Sequence, residues 1–174
     1  MSAPPRDRDA YARFTEYRTR WLDNDQFGHL NNVHHYSFFD SAINATLIGE
    51  FGFDPGEDPT VFYVAQTGCT FHAGLSYPAI VEIGVRLARL GRSSVTYEVG
   101  VFEQGAPLAA ATGHFVHVQV DRASERPVPL DAARRAQFAR VYGRTDEPGG
   151  SGESSVPNGP SAAAPDGPPP APPA

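Results

Sequence analysis

The sequence has 174 residues and a mass of 18.7 kDa, which is enough for one domain of ordinary size and some residues outside it. All 14 basic residues are arginine and the net charge is −6, so the chain lacks the clustered cations that non-specific nucleic-acid binding needs. The single cysteine, Cys69, excludes a disulfide framework and a cysteine-built metal site. No apolar run approaches the ~20 residues that span a bilayer. The polar N-terminus has no export signal, so we expect a cytoplasmic protein that does not bind membranes.

Glycine and proline, 17 of each, are concentrated towards the C-terminus. Residues 144–174 contain 9 Pro and 5 Gly against one large apolar side chain, Val156. Such a segment buries too little surface to offset its ordering entropy, so we predict a disordered tail there. Residues 1–12 are polar and contain two prolines, which predicts a flexible leader. The folded domain is therefore expected at residues 13–143.

The first predicted elements are a strand, a turn-rich loop and a long helix. Residues Phe14–Trp21 alternate with the period of a strand, and residues 23–32 have turn chemistry. Residues Val33–Glu50 carry apolar side chains at helical spacing around most of the circumference. Asn31 or Asn32 is the predicted N-cap, and Gly49 or Gly52 the predicted stop.

The second half of the domain reads as strands followed by a short helix. The predicted strands are Val61–His72, Ile80–Leu90, Ser93–Glu103 and Leu108–Asp121, and the predicted amphipathic helix is Leu130–Tyr142. One apolar helix followed by consecutive antiparallel strands predicts an α+β fold. In it, a sheet of about five strands curls around the helix.

The loop before the helix carries a motif. The residues from Asp23 to Asn32 read D-N-D-Q-F-G-H-L-N-N. This run resembles the signature of hot-dog-fold acyl-CoA thioesterases of the 4-hydroxybenzoyl-CoA thioesterase type, D-x-D-x-x-G-H-x-N-N-x-x-Y, with Tyr36 as the tyrosine. The hairpin sequence L-G-R-S-S-V that begins at Leu90 resembles a later hairpin of the same family. The resemblance covers about residues 13–142 and implies the hot-dog fold.

Thioester cleavage requires a group that attacks the carbonyl or activates water, and donors for the oxygen that gains charge. A helix N-terminus presents unpaired N–H groups, so the Asn32 amide is a candidate oxyanion donor. The resemblance assigns the catalytic carboxylate to Asp25, as nucleophile or as general base; hydrogen bonding to turn amides is the structural alternative. Asp23 is interpreted as structural.

The other residues of the motif have a structural and a functional interpretation each. Gly28 is expected to supply a positive φ or to let the substrate approach the backbone. His29 either orients Asp25 or a water, or shapes the loop. Asn31 and Asn32 are helix caps first and acyl contacts second. Tyr36 packs in the core or lines the acyl pocket.

Coenzyme A carries phosphates, so the hairpin with Arg89, Arg92, Ser93 and Ser94 is the candidate site for its nucleotide or pantetheine arm; a solvated hairpin is the alternative. His29, His34 and His35 match no metal-ligand spacing, since adjacent helical residues point ~100° apart. We therefore expect no metal and no cofactor beyond the coenzyme A of the substrate.

A sheet wrapped around one helix exposes an edge strand, which proteins commonly pair across a two-fold axis. We expect a homodimer or homotetramer, as the resemblance also implies, with Arg92 serving the neighbour's Asp25. Acyl-CoA hydrolysis is the predicted function. The alternatives are a hydratase or dehydratase on an acyl thioester, for which the D-x-N-x-x-H arrangement is incomplete here, and a non-catalytic acyl-thioester-binding module.

Overall fold

The computed structural model describes residue 4 and residues 6–143. The tail predicted at residues 144–174 lies outside the described residues, as do residues 1–3 and 5 of the predicted leader. The strands are β1 (Arg13–Arg18), β2 (Thr60–Phe71), β3 (Ile80–Leu90), β4 (Ser94–Glu103) and β5 (Ala111–Asp121). The helices are α1 (Asn32–Phe51) and α2 (Ala132–Tyr142), with single 3-10 turns at Arg8–Ala10 and Trp21–Asp23.

The five strands form one antiparallel sheet in the order β1-β3-β4-β5-β2. The predicted α+β architecture is confirmed: the sheet carries the long helix on one face, and α2 packs beside the C-terminal end of that helix through Phe138 and Phe51, whose ring centres are 4.7 Å apart. This is the hot-dog fold. No helix of the described residues is long and apolar enough to cross a membrane.

Helix α1 begins and ends as its sequence predicts. The Asn31 side chain accepts a hydrogen bond from the Val33 amide, which satisfies one of the free N–H groups of the first turn. Gly52 ends the helix in the left-handed conformation with φ 64°. Between these caps, Phe39, Ala42, Ile43 and Leu47 are fully buried against the sheet.

A glycine in β5 fixes how closely α1 approaches the sheet. A Cβ at Gly113 would lie 2.4 Å from the Phe39 ring and 2.5 Å from the Gly68 carbonyl oxygen. Only a residue without a side chain fits there, so Phe39 rests directly on the sheet backbone. This contact sets the depth at which the helix lies in the curled sheet.

The described part of the predicted leader packs against the sheet instead of leaving it. Tyr11 is buried on the face opposite α1, over the cross-strand pair Gly84 and Gly100. The Arg8 guanidinium donates to both oxygens of Glu82, at 2.7 and 2.9 Å. We call residues 6–12 the N-terminal strap. The glycine notch that Tyr11 fills exists only after β3 and β4 have paired, so the sequence of residues 1–12 alone gave no sign of it.

Candidate active site

The loop between β1 and α1 is built around two aspartates. Asp23 is buried, and its Oδ1 accepts from Arg20 Nε at 3.0 Å and Nη2 at 2.7 Å, while Oδ2 accepts from the Arg20 amide at 2.7 Å. His34 Nε2 lies 3.8 Å from the same Oδ1. Burial acts to raise the pKa of Asp23, but the Arg20 hydrogen bonds and the charges of Arg20 and His34 hold the pKa below its usual value. This agrees with the structural role predicted for Asp23.

Asp25 is half-buried and holds the tip of the loop. Its Oδ1 accepts from the Phe27 amide at 2.8 Å and from the His29 amide at 3.2 Å. Within residues 6–143, no donor to Oδ2 is present. One carboxylate oxygen therefore fixes the loop, as the turn interpretation expects, and the second oxygen stays available to a reacting partner.

Gly28 and His29 complete the turn. Gly28 has φ 80°, the positive value predicted for it, and its amide donates to the Asp25 carbonyl at 3.2 Å. His29 accepts from the Asp25 amide at 2.8 Å, and its ring lies against Gly74, where an added Cβ would be 2.9 Å from Cδ2. The loop tip is thus closed by backbone contacts on both sides of Asp25.

Asn31 and Asn32 stand where the loop becomes the helix. Asn31 donates its amide to the Asp23 carbonyl at 2.8 Å, so the buried aspartate anchors the helix start. The Asn32 amide is the first of α1 and has no acceptor among the described residues. Asp25, Gly28, His29, Asn31 and Asn32 therefore share one loop and one helix end.

The motif tyrosine needs a correction. The spacing N-N-x-x-Y places the tyrosine at His35, and Tyr36 is the next residue. Tyr36 is partly exposed, with its ring edge-on to Phe39 at 6.1 Å, so it is not a core residue. His35 is buried in its place.

Sequence reasoning missed the segment that faces this loop. The Leu30 amide donates to the Leu75 carbonyl at 2.7 Å, and the Tyr77 amide donates to Asn24 Oδ1 at 3.0 Å. The Trp21 and Tyr77 rings meet edge-on at 5.9 Å. Residues 72–79 connect β2 to β3 and carry no catalytic motif, so only the register of the sheet brings them to the site.

The predicted coenzyme A hairpin lies at the other end of the sheet. Arg18 at the end of β1 pairs with Ile80 at the start of β3, whereas the hairpin follows Leu90 at the end of β3. The 11 residues of β3 at ~3.3 Å each put about 35 Å between the two ends. Arg89, Arg92, Ser93 and Ser94 are thus not brought to Asp25 within one chain.

The hairpin itself is tied to the C-terminal helix. Gly91 donates to the Ser94 carbonyl at 2.8 Å and accepts from Arg135 Nη2, and the Leu130 amide donates to the Arg92 carbonyl at 2.8 Å. The Arg92 side chain is exposed to solvent. Among the described residues, no group of three or more His, Cys, Asp or Glu side chains is arranged to hold a metal ion.

The fold and this loop agree with known proteins. A sequence model of the thioesterase superfamily matches residues 27–110. The PA5185 protein of Pseudomonas aeruginosa is 41% identical, with a TM-score of 0.76, over 82% of this chain and 99% of that one. The chain therefore belongs to the thioesterase superfamily.

Two further solved structures are similar. The PA2801 protein of Pseudomonas aeruginosa is 26% identical with a TM-score of 0.68, over 74% of this chain and 99% of that one. The gentisyl-coenzyme A thioesterase BH1999 is 25% identical with a TM-score of 0.63, over 73% of this chain and 100% of that one. A comparison with curated proteins found no match.

Proposed function

We propose that this chain hydrolyses acyl-CoA thioesters, with Asp25 as the catalytic carboxylate and the Asn32 amide as the oxyanion donor. The observation that carries the proposal is the difference in hydrogen bonding between the two carboxylate oxygens of Asp25. Its Oδ1 accepts from two loop amides while Oδ2 has no donor among residues 6–143. A carboxylate held in this way keeps its orientation and still offers a lone pair to a substrate.

The reaction has two possible first steps. In one, Asp25 Oδ2 attacks the thioester carbonyl, coenzyme A leaves as the thiolate, and water then cleaves the acyl–aspartyl anhydride. In the other, Asp25 takes a proton from a water molecule as the water oxygen attacks the same carbon; the C–S bond then breaks, and coenzyme A leaves as the thiol with that proton while the acyl group leaves as the free acid. In both, the N–H of Asn32 stabilises the carbonyl oxygen as it gains charge at the positive end of the α1 dipole. His29, Gly28 and Asn31 hold the loop, and no metal or redox cofactor is needed.

The site is completed by a second copy of the chain. The candidate coenzyme A residues Arg89, Arg92, Ser93 and Ser94 lie at the end of β3, whereas the Asp25 loop of the same chain contacts the segment that leads into the start of β3. The edge strand β2 is 12 residues long and exposes Tyr63, Val64 and Phe71. A long apolar edge of this kind favours pairing with another copy. We therefore infer a homodimer, with a homotetramer as the larger alternative, in which Arg92 serves the neighbour's site.

The test replaces Asp25 by asparagine. Asn keeps an Oδ1 that accepts from Phe27 and His29, so the loop stays folded, but it is a poor nucleophile and base. We expect kcat for thiol release to fall by at least ~100-fold in Asp25→Asn. The assay uses a panel of short, long, branched and aryl acyl-CoAs, and the similarity to a gentisyl-CoA thioesterase puts aryl-CoAs first. Asp40→Asn, the same change at an exposed helix residue, is the matched control.

Two alternatives predict different results in the same panel. A hydratase would add water to crotonyl-CoA without releasing free thiol. A binding module would bind acyl-CoA tightly in the wild-type protein and in Asp25→Asn alike, with no turnover in either. Wild-type hydrolysis that Asp25→Asn leaves unchanged would reject the role proposed for Asp25.

A further inference from the structure

Asn24 lies between the two aspartates of the loop and has no part in the reaction described above. Its backbone pairs with Leu30 across the loop, next to the 2.8 Å hydrogen bond from the Asp25 amide to the His29 carbonyl. The loop is therefore a short antiparallel hairpin, and we call residues 23–31 the Asp25 hairpin. One arm of it carries the catalytic carboxylate, and the other leads directly into α1.

Both arms of the Asp25 hairpin are hydrogen-bonded to the same segment, residues 72–79 between β2 and β3. On the arm that leads into α1, the Leu30 amide donates to the Leu75 carbonyl at 2.7 Å. On the opposite arm, Asn24 Oδ1 accepts from the Tyr77 amide at 3.0 Å. The two bonds end on residues that are two apart in the sequence, so one short stretch of the segment holds both arms.

The bond of Asn24 is the one of the two that depends on a side chain. Leu30 donates through its backbone, which almost any residue type would do equally well. Within the described part of the chain, no other side chain of the Asp25 hairpin hydrogen-bonds residues 72–79. The Tyr77 ring packs edge-on against Trp21 at 5.9 Å, which holds the donor residue in place. The contact therefore depends on the amide group of Asn24.

The segment itself is fixed to the sheet at both of its ends. At its start, the amides of His72 and Ala73 donate to the Ala110 carbonyl at 2.8 and 3.0 Å. At its end, the Ala79 amide donates to Thr19 Oγ1 at 2.9 Å, and the Ala79 carbonyl accepts from the Thr19 amide at 3.0 Å. A loop residue that is bonded to this segment is therefore fixed relative to the sheet.

The proposed reaction needs the Asp25 carboxylate and the Asn32 amide at a fixed separation, because both act on the same carbonyl group. The Asn32 amide is fixed by α1, to which it belongs. The two amides that orient the Asp25 carboxylate belong to the loop itself, so they move with the loop. The bond from Tyr77 to Asn24 attaches the neighbour of Asp25 to a segment outside the loop.

We propose that Asn24 is a positioning residue, which sets the place of the Asp25 carboxylate relative to the thioester carbonyl by anchoring its arm of the hairpin to Tyr77. The inference rests on the proposed thioesterase function and deepens it, since it adds a residue at the variable position between the two aspartates of the motif. A displacement of about 1 Å can cost on the order of 100-fold in rate, so a single anchoring bond is enough to affect turnover.

The experiment removes the acceptor with Asn24→Ala and measures thiol release from the acyl-CoA that the wild type hydrolyses fastest. We expect kcat to fall by ~10-fold or more while KM changes by less than about twofold, because the substrate contacts are left in place. In an Asp25→Asn background, the same change should lower the residual rate by less than about twofold, because no carboxylate is left to misplace. Asn44→Ala, which removes an amide bonded to Asp40 within α1, is the matched control and should leave both constants unchanged.

A conservative variant separates positioning from folding. Asn24→Asp keeps an oxygen that accepts from the Tyr77 amide, so we expect it to recover most of the lost kcat at high pH. The added charge beside Asp25 disfavours the ionised carboxylate, so the acid side of the pH profile of kcat should move to higher pH. Thermal unfolding checks the fold: Asn24→Ala should lower Tm by about 5 °C or less, and the assays are run well below Tm.

The outcomes distinguish the positioning role from the proposed function. If no acyl-CoA is hydrolysed in an Asp25-dependent way, the proposed function is wrong. If hydrolysis depends on Asp25 but Asn24→Ala keeps the wild-type kcat, raises KM alone, or slows both backgrounds by the same factor, only the role of Asn24 is wrong. The same holds if Asn24→Asp is no faster than Asn24→Ala at any pH.

Discussion

Asp23 and Asp25 are two residues apart in one loop, and their surroundings differ in every respect that matters for a carboxylate. Asp23 is buried and both of its oxygens accept from Arg20. Asp25 is half-buried, and its only donors among the described residues are two backbone amides on one oxygen. The Asp23 carboxylate is suited to fixing its own residue, whose backbone carbonyl accepts from the Asn31 amide at the helix start, and the Asp25 carboxylate is suited to meeting a substrate.

The ion pair of Asp23 gives a pH-dependent stability. Because the folded-state pKa of Asp23 is lowered, its contribution is full above the unfolded value of about 4 and is lost as pH falls through the folded pKa. We expect Asp23→Asn to lower the free energy of unfolding by about 1–3 kcal/mol at pH 7. Urea denaturation at pH 7 and pH 3 measures the difference, which should shrink at pH 3. An equal loss at both pH values would contradict the ion-pair explanation.

His117 is a second residue whose burial has a measurable consequence. Its ring is buried among Phe62, Tyr97 and Phe115, and burial lowers its pKa to about 4. The unfolded chain therefore binds a proton near pH 6.5 that the folded chain binds only near pH 4.

We expect the folded protein to lose stability as pH falls from about 6.5 to 4, by at most about 3 kcal/mol from His117. His117→Phe keeps an aromatic ring in the cluster and should flatten this dependence. In His117→Phe, the lowered pKa of buried His35 still makes the unfolding free energy fall with falling pH, but by less. Guanidinium titrations at pH 7.5 and 5.0 give the change of unfolding free energy with pH for the wild type and for His117→Phe. If the variant shows the same change as the wild type, His117 does not cause the loss of stability.

Among the elements, α1 depends on how closely it lies on β5. Gly113→Ala would bring a methyl group within 2.4 Å of the Phe39 ring and 2.5 Å of the Gly68 carbonyl oxygen. We expect a loss of about 2 kcal/mol in unfolding free energy, because neither neighbour can move without shifting the helix or the sheet. Thiol-release activity should fall as well, since α1 carries Asn32.

The control for this change lies in α1 itself. Gly49 is inside the helix, and nothing lies within 4 Å of a Cβ added there. Gly49→Ala should therefore raise stability by about 0.5 kcal/mol through the gain in helix propensity. If both glycine variants destabilise equally, the packing argument for Gly113 fails.

The elements were predictable where local pattern decides them. The bounds Ile80–Leu90 of β3 and the caps of α1 at Asn31 and Gly52 follow from alternation and capping chemistry. The first strand was predicted to reach Trp21 but ends at Arg18. After Arg18, the Asp23 carboxylate accepts from the Arg20 amide and stabilises the 3-10 turn Trp21–Asp23. This local hydrogen bond ends the strand although the alternating pattern continues to Trp21.

The site, like the elements, was predictable where its residues are close together in the sequence. The motif placed Asp25, Gly28, His29, Asn31 and Asn32 in one loop, because they are neighbours in sequence. The contacts from Gly74, Leu75 and Tyr77, and the distance to Arg92, depend on strand register and had no local signal. The sequence indicates His35 only as a weak metal-ligand candidate, because the neighbouring Tyr36 has the residue type that the motif requires.

For the whole molecule, the separation of the Asp25 loop from the Arg92 hairpin predicts complementation between chains. Asp25→Asn and Arg92→Ala are each expected to be impaired as pure homodimers. A dimer that contains one chain of each kind has one site with both native residues. Random mixing after unfolding and refolding should therefore restore about a quarter of the wild-type sites.

Thiol release from the refolded mixture measures this recovery, and each variant refolded alone is the control. No recovery, in a mixture that sedimentation shows to contain dimers, would mean that Arg92 does not serve the neighbour's site. Recovery would also establish that each site is built from two chains.

The N-terminal strap has a practical consequence for anyone who shortens the chain. A fragment that begins at β1 would lose Tyr11 from the notch over Gly84 and Gly100 and would leave Glu82 without the guanidinium of Arg8. The rings of Phe14 and Phe102, which Arg8 now overlies at 4.3 and 5.6 Å, would face water on the outer surface of the sheet. Truncation to the residues that match the family would thus expose an apolar patch on the sheet and favour aggregation.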